Sequence, residues 1–264
     1  MREGFRVAMV FVLSPLLIAR AATLNVWVDV TRSVYQEARA IALQNLLAQL
    51  PSIIAEHNIG TVKLYKFGRG AWIVEAKEFR LPARVAVGCR EPEIPAELKP
   101  IKSFRAAAMR RAEQECRTHQ ARTEEEYAAE LNTALASIRE AFVAVSPSGD
   151  TCTSVNDLLE RISMGTEPGF MVVVTDARET CSKVVSRVSR PASDVHVVFL
   201  VVPSGSDWES HKSAAAVFGE TKALLQRTAP WVHVVPLFSG HISDLFDDRA
   251  TKKPLAQLTA GAAN

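Results

Sequence analysis

Residues 169–177 read GFMVVVTDA and residues 193–202 read SDVHVVFLVV. Both are nearly unbroken β-branched and apolar runs of strand length, the pattern of central strands covered on both faces of a parallel sheet. A third such run, WVHVVPLF, occupies 231–238. Helical spacing fills the intervals at 154–163, 181–188 and 213–228, and a short helix is expected after Ser239. Strands alternating with helices imply right-handed crossovers and an α/β domain with a mostly parallel sheet and helices on both sides.

The first half of the chain extends the pattern. LNVWVDVTRSV (24–34) alternates like a strand and ends in Asp29, Thr31 and Ser33. Apolar residues then recur at helical spacing (Ala38, Ile41, Ala42, Leu46, Leu50, Ile53, Ile54), and Asn58-Ile59-Gly60 supplies a stop. TVKLYKFG (61–68) and AWIVEAKEFRL (71–81) are alternating runs joined at Gly68-Arg69-Gly70, which reads as a hairpin. A stretch rich in Pro and charge covers 82–100. Two helices are expected after it: one over 103–119, and one starting at the capping box Thr123-Glu124-Glu125-Glu126 and reaching about 145.

With 264 residues, 48% hydrophobic and 23% charged, the chain fills one large domain and falls short of two. A formal charge of +2 gives no electrostatic case for a nucleic-acid binder. The opening MREGFRVAMVFVLSPLLIARAATL carries Arg2 and Arg6 before an apolar run from Val7 to Ala19 and then small residues, the order of a secretory signal peptide. That run is shorter than the ~20 residues of a membrane-spanning helix. The expected organisation is a signal peptide over 1–21 cleaved near Ala21, one domain over 22–250 and a tail over 251–264, in a periplasmic or secreted protein with no stable transmembrane segment once cleaved. An uncleaved anchor or a buried helix is the alternative.

Four cysteines, Cys89, Cys116, Cys152 and Cys181, form no C-x-x-C pair, which leaves zinc and redox motifs without support. Export predicts two disulfides with three pairings open; retention in the cytosol predicts buried free thiols.

Ligands of open α/β sheets bind beyond the carboxyl ends of the strands. Three loops meet that description: Asp29-Val30-Thr31-Arg32-Ser33, Gly149-Asp150-Thr151-Cys152-Thr153, and Thr175-Asp176-Ala177. They offer Asp29, Thr31, Ser33, Thr151 and Asp176, all hard oxygen donors suited to Mg²⁺, Mn²⁺ or Ca²⁺. Each also has a plainer reading. Ser33 with Gln36 makes a capping box, Thr151, Thr153 or Ser154 caps the helix at 154, and Asp176 is a turn residue.

As a set, these segments resemble the von Willebrand factor A domain and its metal-ion-dependent adhesion site, with D-x-S-x-S after the first strand, a Thr in a G-x-T-x-T-like loop and an Asp in a T-D-G-like turn. Thr31 stands for the first Ser and Ala177 for the usual Gly. The resemblance spans about Leu24 to Asp248 and implies a six-stranded, doubly wound sheet with one antiparallel edge strand, which accounts for the hairpin. It further implies a bound divalent cation held by Thr31 and Ser33, with Thr151 direct or through water and Asp29 and Asp176 largely through water. Its open position then takes a carboxylate from a protein partner, and no catalytic residue is needed. Loops that meet around one ion favour Cys152–Cys181, leaving Cys89–Cys116 to fasten 82–100 to its helix.

The rival reading is a haloacid-dehalogenase-like phosphohydrolase with Asp29 as nucleophile, echoed by Val172–Asp176 and Phe246-Asp247-Asp248. It lacks the second Asp that family places two residues on, where this chain has Thr31. A third is a domain of the same fold with a vacant or purely structural site. Between Arg80 and Arg122 ten Lys or Arg face five Glu, a solvated surface or one for an acidic partner. Phe104 is the sole aromatic residue there, which argues against single-stranded nucleic acid.

Overall fold

A computed structural model describes residues 21–68, 76–85, 87–89, 102–146, 152–165, 169–178, 181, 187–191, 194–209 and 214–236. In chain order the elements are β1 (Ala22–Asp29), α1 (Gln36–His57), β2 (Ile59–Phe67), β3 (Ala76–Arg80), α2 (Lys102–Val143), α3 (Val155–Met164), β4 (Gly169–Thr175), β5 (Val195–Val201), α4 (Gly205–Glu209), α5 (Ala214–Thr228) and β6 (His233–Pro236). The six strands form one sheet in the order β3-β2-β1-β4-β5-β6. Every neighbouring pair is parallel except β2 and β3, which run antiparallel with Thr61 opposite Arg80 and Tyr65 opposite Ala76. The antiparallel edge strand is therefore present.

Period-two alternation along the strands builds two cores. On one face Leu24, Val26 and Val28 of β1, Val172 and Val174 of β4, and Val198 and Leu200 of β5 pack under α1 and the end of α2. On the other, Trp27, Met171, Val173, Val197, Phe199 and Val201 meet Val155, Leu158, Leu159 and Ile162 of α3 and Val217 and Leu225 of α5. Gly169 opens β4 because a Cβ there would stand 2.9 Å from the Thr23 carbonyl oxygen of β1. Asn58 closes α1 in the left-handed region (φ 48°), its N–H bonding the Ile54 carbonyl, as the stop signal required.

The boundary expected between two helices near 119–123 does not exist. α2 is one helix of 42 residues. The apparent capping residue Thr123 donates its hydroxyl to the His119 carbonyl, 3.0 Å away and one turn back, as Thr118 does to Gln114. No Gly or Pro interrupts the chain there, and the pairs Arg117–Glu113 and Arg122–Glu126 span single turns. Of the helix expected over 181–188, Cys181, Arg187 and Val188 are not helical and 182–186 fall outside the described residues. The expected signal peptide up to residue 20, the hairpin turn beyond Gly68, the short helix expected after Ser239 and the tail also fall outside them. α4 follows a Ser204 capping box too short for helical periodicity to register.

Native-state hydrogen exchange tests the continuity of α2. The amides of Gln120 to Glu124 are expected to be protected like their neighbours, whereas free exchange over that run would mean two helices.

Candidate functional site

Chain order runs outward in both directions from β1 and β4, so the crevice beyond their carboxyl ends lies at the topological switch point of the sheet. Asp29 ends β1 and is fully buried. Its Oδ1 accepts the Thr31 backbone N–H (3.0 Å) and the Thr31 hydroxyl (2.7 Å), while its Oδ2 accepts the hydroxyls of Thr175 (2.7 Å) and Thr153 (3.2 Å). One carboxylate thus gathers the ends of β1 and β4 and the loop before α3. Burial pushes its protonation upward, and the hydrogen bonds from Thr175, Thr31 and Thr153 oppose that.

Around it the hydroxyl oxygens converge. Thr31 Oγ1 lies 2.9 Å from Ser33 Oγ and 2.8 Å from Thr153 Oγ1. Ser33 does not cap α1, whose N-cap Tyr35 makes no side-chain cap bond. The cap of α3 is Ser154, which accepts the Asp157 N–H, and Thr153 faces Asp29. Of the cap readings that fall on described residues, that of Ser154 holds.

Asp176 follows β4, 1% exposed. Its Oδ1 accepts the Arg178 N–H (3.1 Å), and its buried Oδ2 has no hydrogen-bond partner. Burial first, and the charge of Asp29 second, push its carboxyl up to about 7, against the Arg178 N–H, the Ser33 hydroxyl and the Arg178 charge. The turn that aims it places Ala177 at φ 52°, a left-handed conformation costly for a residue with a Cβ, held by the Ala177 N–H bonding Thr175 Oγ1 at 2.9 Å.

Two buried acids and three converging hydroxyls thus share one pocket of the sheet edge. Asp29, Thr31, Ser33 and Asp176 lie together at this end of the sheet, and Thr151 lies outside the described residues. Among the described residues no group of three or more His, Cys, Asp or Glu is arranged to hold a metal. A cation here would depend on neutral hydroxyls supplemented by two carboxylates. That set fits a hard ion: ligands about 2.1 Å from Mg²⁺ at right angles stand about 3 Å apart, close to the observed hydroxyl spacings. The orphaned Asp176 Oδ2 and the mutual repulsion of the acids are unfavourable features that a divalent cation would relieve.

Three contributors escaped sequence reading. Thr175 depends on strand register: Val28 pairs with Val174, which brings the following residues, Asp29 and Thr175, side by side. Arg39 projects from the buried face of α1, 2% exposed, with Nη1 donating to the Asp29 carbonyl (3.1 Å) and a buried Nη2 lacking a partner. Its signal was one basic residue beside Ala38, Ala42 and Leu43 on an apolar face. The third is the clamp between Arg178 and the α4 turn: Asp207 accepts from Arg178 and from the Ser204 hydroxyl (2.8 Å), and Ser206 from Arg178 Nη1 (3.3 Å).

The disulfides complete the frame. Cys152 pairs with Cys181 at a Cα separation of 5.0 Å and Cys89 with Cys116 at 5.7 Å. The first ties the loop carrying Thr153 to the chain beyond Asp176, where the Cys181 N–H also bonds the Thr153 carbonyl (3.2 Å).

No family model matches this chain, and no curated protein does. Among solved structures it is similar to the pilus adhesin SpaC of Lactobacillus rhamnosus GG in its open conformation, with 11% identity and a TM-score of 0.33. The match covers 90% of this chain and 30% of the adhesin, so the chain spans under a third of that protein's length. A likeness of that order carries no argument about the site.

The raised Asp176 carboxyl gives a signed prediction for the cation-free protein. Its ordinary value is 3.8 and its folded value about 7, so between these the folded state holds more protons and stability falls as pH rises. Denaturant melts in chelator are expected to lose up to about 4 kcal/mol from pH 4 to pH 7 relative to Asp176→Asn. Parallel pH profiles for the two proteins would contradict this.

Proposed function

We propose that this is an exported protein of the von Willebrand factor A kind that binds a protein partner through a divalent cation. Asp29, Thr31, Ser33, Thr151 and Asp176 are its ligand set, with Thr153 adjoining Thr31. The single observation that carries the reading is the buried acid pair at the switch point, hydroxyls converging beside it and Asp176 Oδ2 without a partner. Such an arrangement is costly without an ion and satisfied with one.

A cation held largely by neutral hydroxyls stays electrophilic and accepts a further carboxylate from outside. Mg²⁺ is the first candidate, with Mn²⁺ or Ca²⁺ as alternatives, and recognition is the outcome. The phosphohydrolase reading gains no support from Asp29, whose two oxygens are enclosed by Thr31, Thr153 and Thr175. Phe246–Asp248 lie outside the described residues. Two disulfides suit an oxidising compartment, and among the described residues no helix is long and apolar enough to cross a membrane. Export and cleavage near Ala21 remain part of the proposal.

Two measurements test it. Titration of the chelator-treated protein with Mn²⁺ or Mg²⁺ is expected to raise its melting temperature with one site per chain, and Ser33→Ala, a half-buried hydroxyl, is expected to weaken binding by about tenfold or more. Affinity capture from envelope extracts is then expected to retain a partner that is released by chelator and missing with Asp29→Ala. Absence of any cation-dependent shift, or an identical captured set in all three conditions, would overturn the reading.

A further inference from the structure

α2 is longer than the domain requires. Leu131 and Leu135 rest against the core, and Ile138, Ala141 and Phe142 are buried in it. The stretch before them, 102–130, extends about 43 Å at ~1.5 Å per residue. Along one side the half-buried residues Ala108, Ala112, Cys116, Thr123 and Tyr127 follow one another at helical spacing. Residues 81–85 and 87–89 fasten here through Cys89–Cys116, the Gln120 amide on the Val87 carbonyl (3.2 Å) and Arg84 on Glu124 (2.7 Å).

On the opposite side Ala107, Arg111, Gln114, Thr118, Arg122, Glu125 and Ala129 form a stripe spaced by three and four residues, and every one is exposed. The charges of the helix divide along its length. Residues 102–122 carry six Lys or Arg against two Glu, and residues 123–143 carry five Glu against one Arg. That order runs against the helix dipole, which favours acids near the start and bases near the end; the first turn has no acid and the last turn no base. A lone helix gains nothing from it. An antiparallel second helix of the same sequence does.

We propose that two copies of this chain pair antiparallel through the projecting part of α2, about a two-fold axis at Thr118. In that register Arg111 stands opposite Glu125 of the second copy, and the reverse pair follows by symmetry. Ala107 meets Ala129, Thr118 meets itself, and Arg122 lies within one position of Glu115 of the other copy. Small residues at these crossings allow close approach of the two backbones. The overlap, 107–129, ends before Leu131, so the sheet-packed end of neither helix enters it. Exposed ion pairs are individually weak and the seam is polar, so the pairing is weak and salt-sensitive. It is independent of the metal-binding reading. Its consequence is a bivalent particle, in which two weak sites act with avidity.

Sedimentation velocity on the full oxidised chain tests this, at about 20 mM and about 500 mM NaCl. The wild type is expected to dimerise at low salt, with a dissociation constant rising about tenfold or more at high salt. Arg111→Glu and Glu125→Arg each place like charges together and are expected to be monomeric. Their equimolar mixture restores opposite charges at every crossing and is expected to form the mixed dimer. Both positions are exposed, and unchanged circular-dichroism melts would establish that the variants fold. A wild type that stays monomeric at low salt up to several hundred micromolar, a dimer indifferent to either reversal, or a mixture that fails to recover pairing would each overturn the proposal.

Discussion

The domain turns on one buried carboxylate. Asp29 ends the central strand at zero exposure, and a charge there is tolerable only while its oxygens are fully bonded. Thr31 supplies that from its own loop, Thr153 from the loop entering α3 and Thr175 from the end of β4. Three segments far apart in sequence are held together by a single acid, and the Cys152–Cys181 bond repeats the constraint covalently between two of them. Arg39 completes the arrangement from beneath, bonding the Asp29 carbonyl and placing a compensating charge near the carboxylate.

The same arrangement leaves a deficit. Asp29 is satisfied by the protein, whereas Asp176 beside it keeps one oxygen with no partner and a carboxyl pushed up to about 7 by burial and by its neighbour. Arg39 and Arg178 offset this only in part, and on the proposed reading a divalent cation would balance the acid pair. A set of helix caps would not show this imbalance, because caps are finished once their backbone donors are met.

Much of this was legible in the sequence. The β-branched runs at 169–177 and 193–202 announced strands covered on both sides, and the alternation after Thr61 announced the antiparallel hairpin. Asp29, Thr31, Ser33 and Asp176 could be assembled from the rule that function gathers at strand ends. Local signals failed where a longer-range partner outweighed them. Ser33 and Thr123 both sit in capping-box patterns, yet one hydroxyl turns to Thr31 and Asp176 and the other to the carbonyl one turn back. Arg39 was invisible because its role depends on a carbonyl ten residues away across the packed interface of helix and sheet. The approach of Thr153 to Asp29, 124 residues away along the chain, is likewise tertiary.

The most direct test of the central claim is anomalous scattering from a crystal of the protein grown or soaked with Mn²⁺. The account predicts one strong anomalous peak at the carboxyl ends of β1 and β4, within coordination distance of Ser33 and adjacent to Asp176. A well-ordered site with no peak, or manganese bound only elsewhere on the surface, would contradict it.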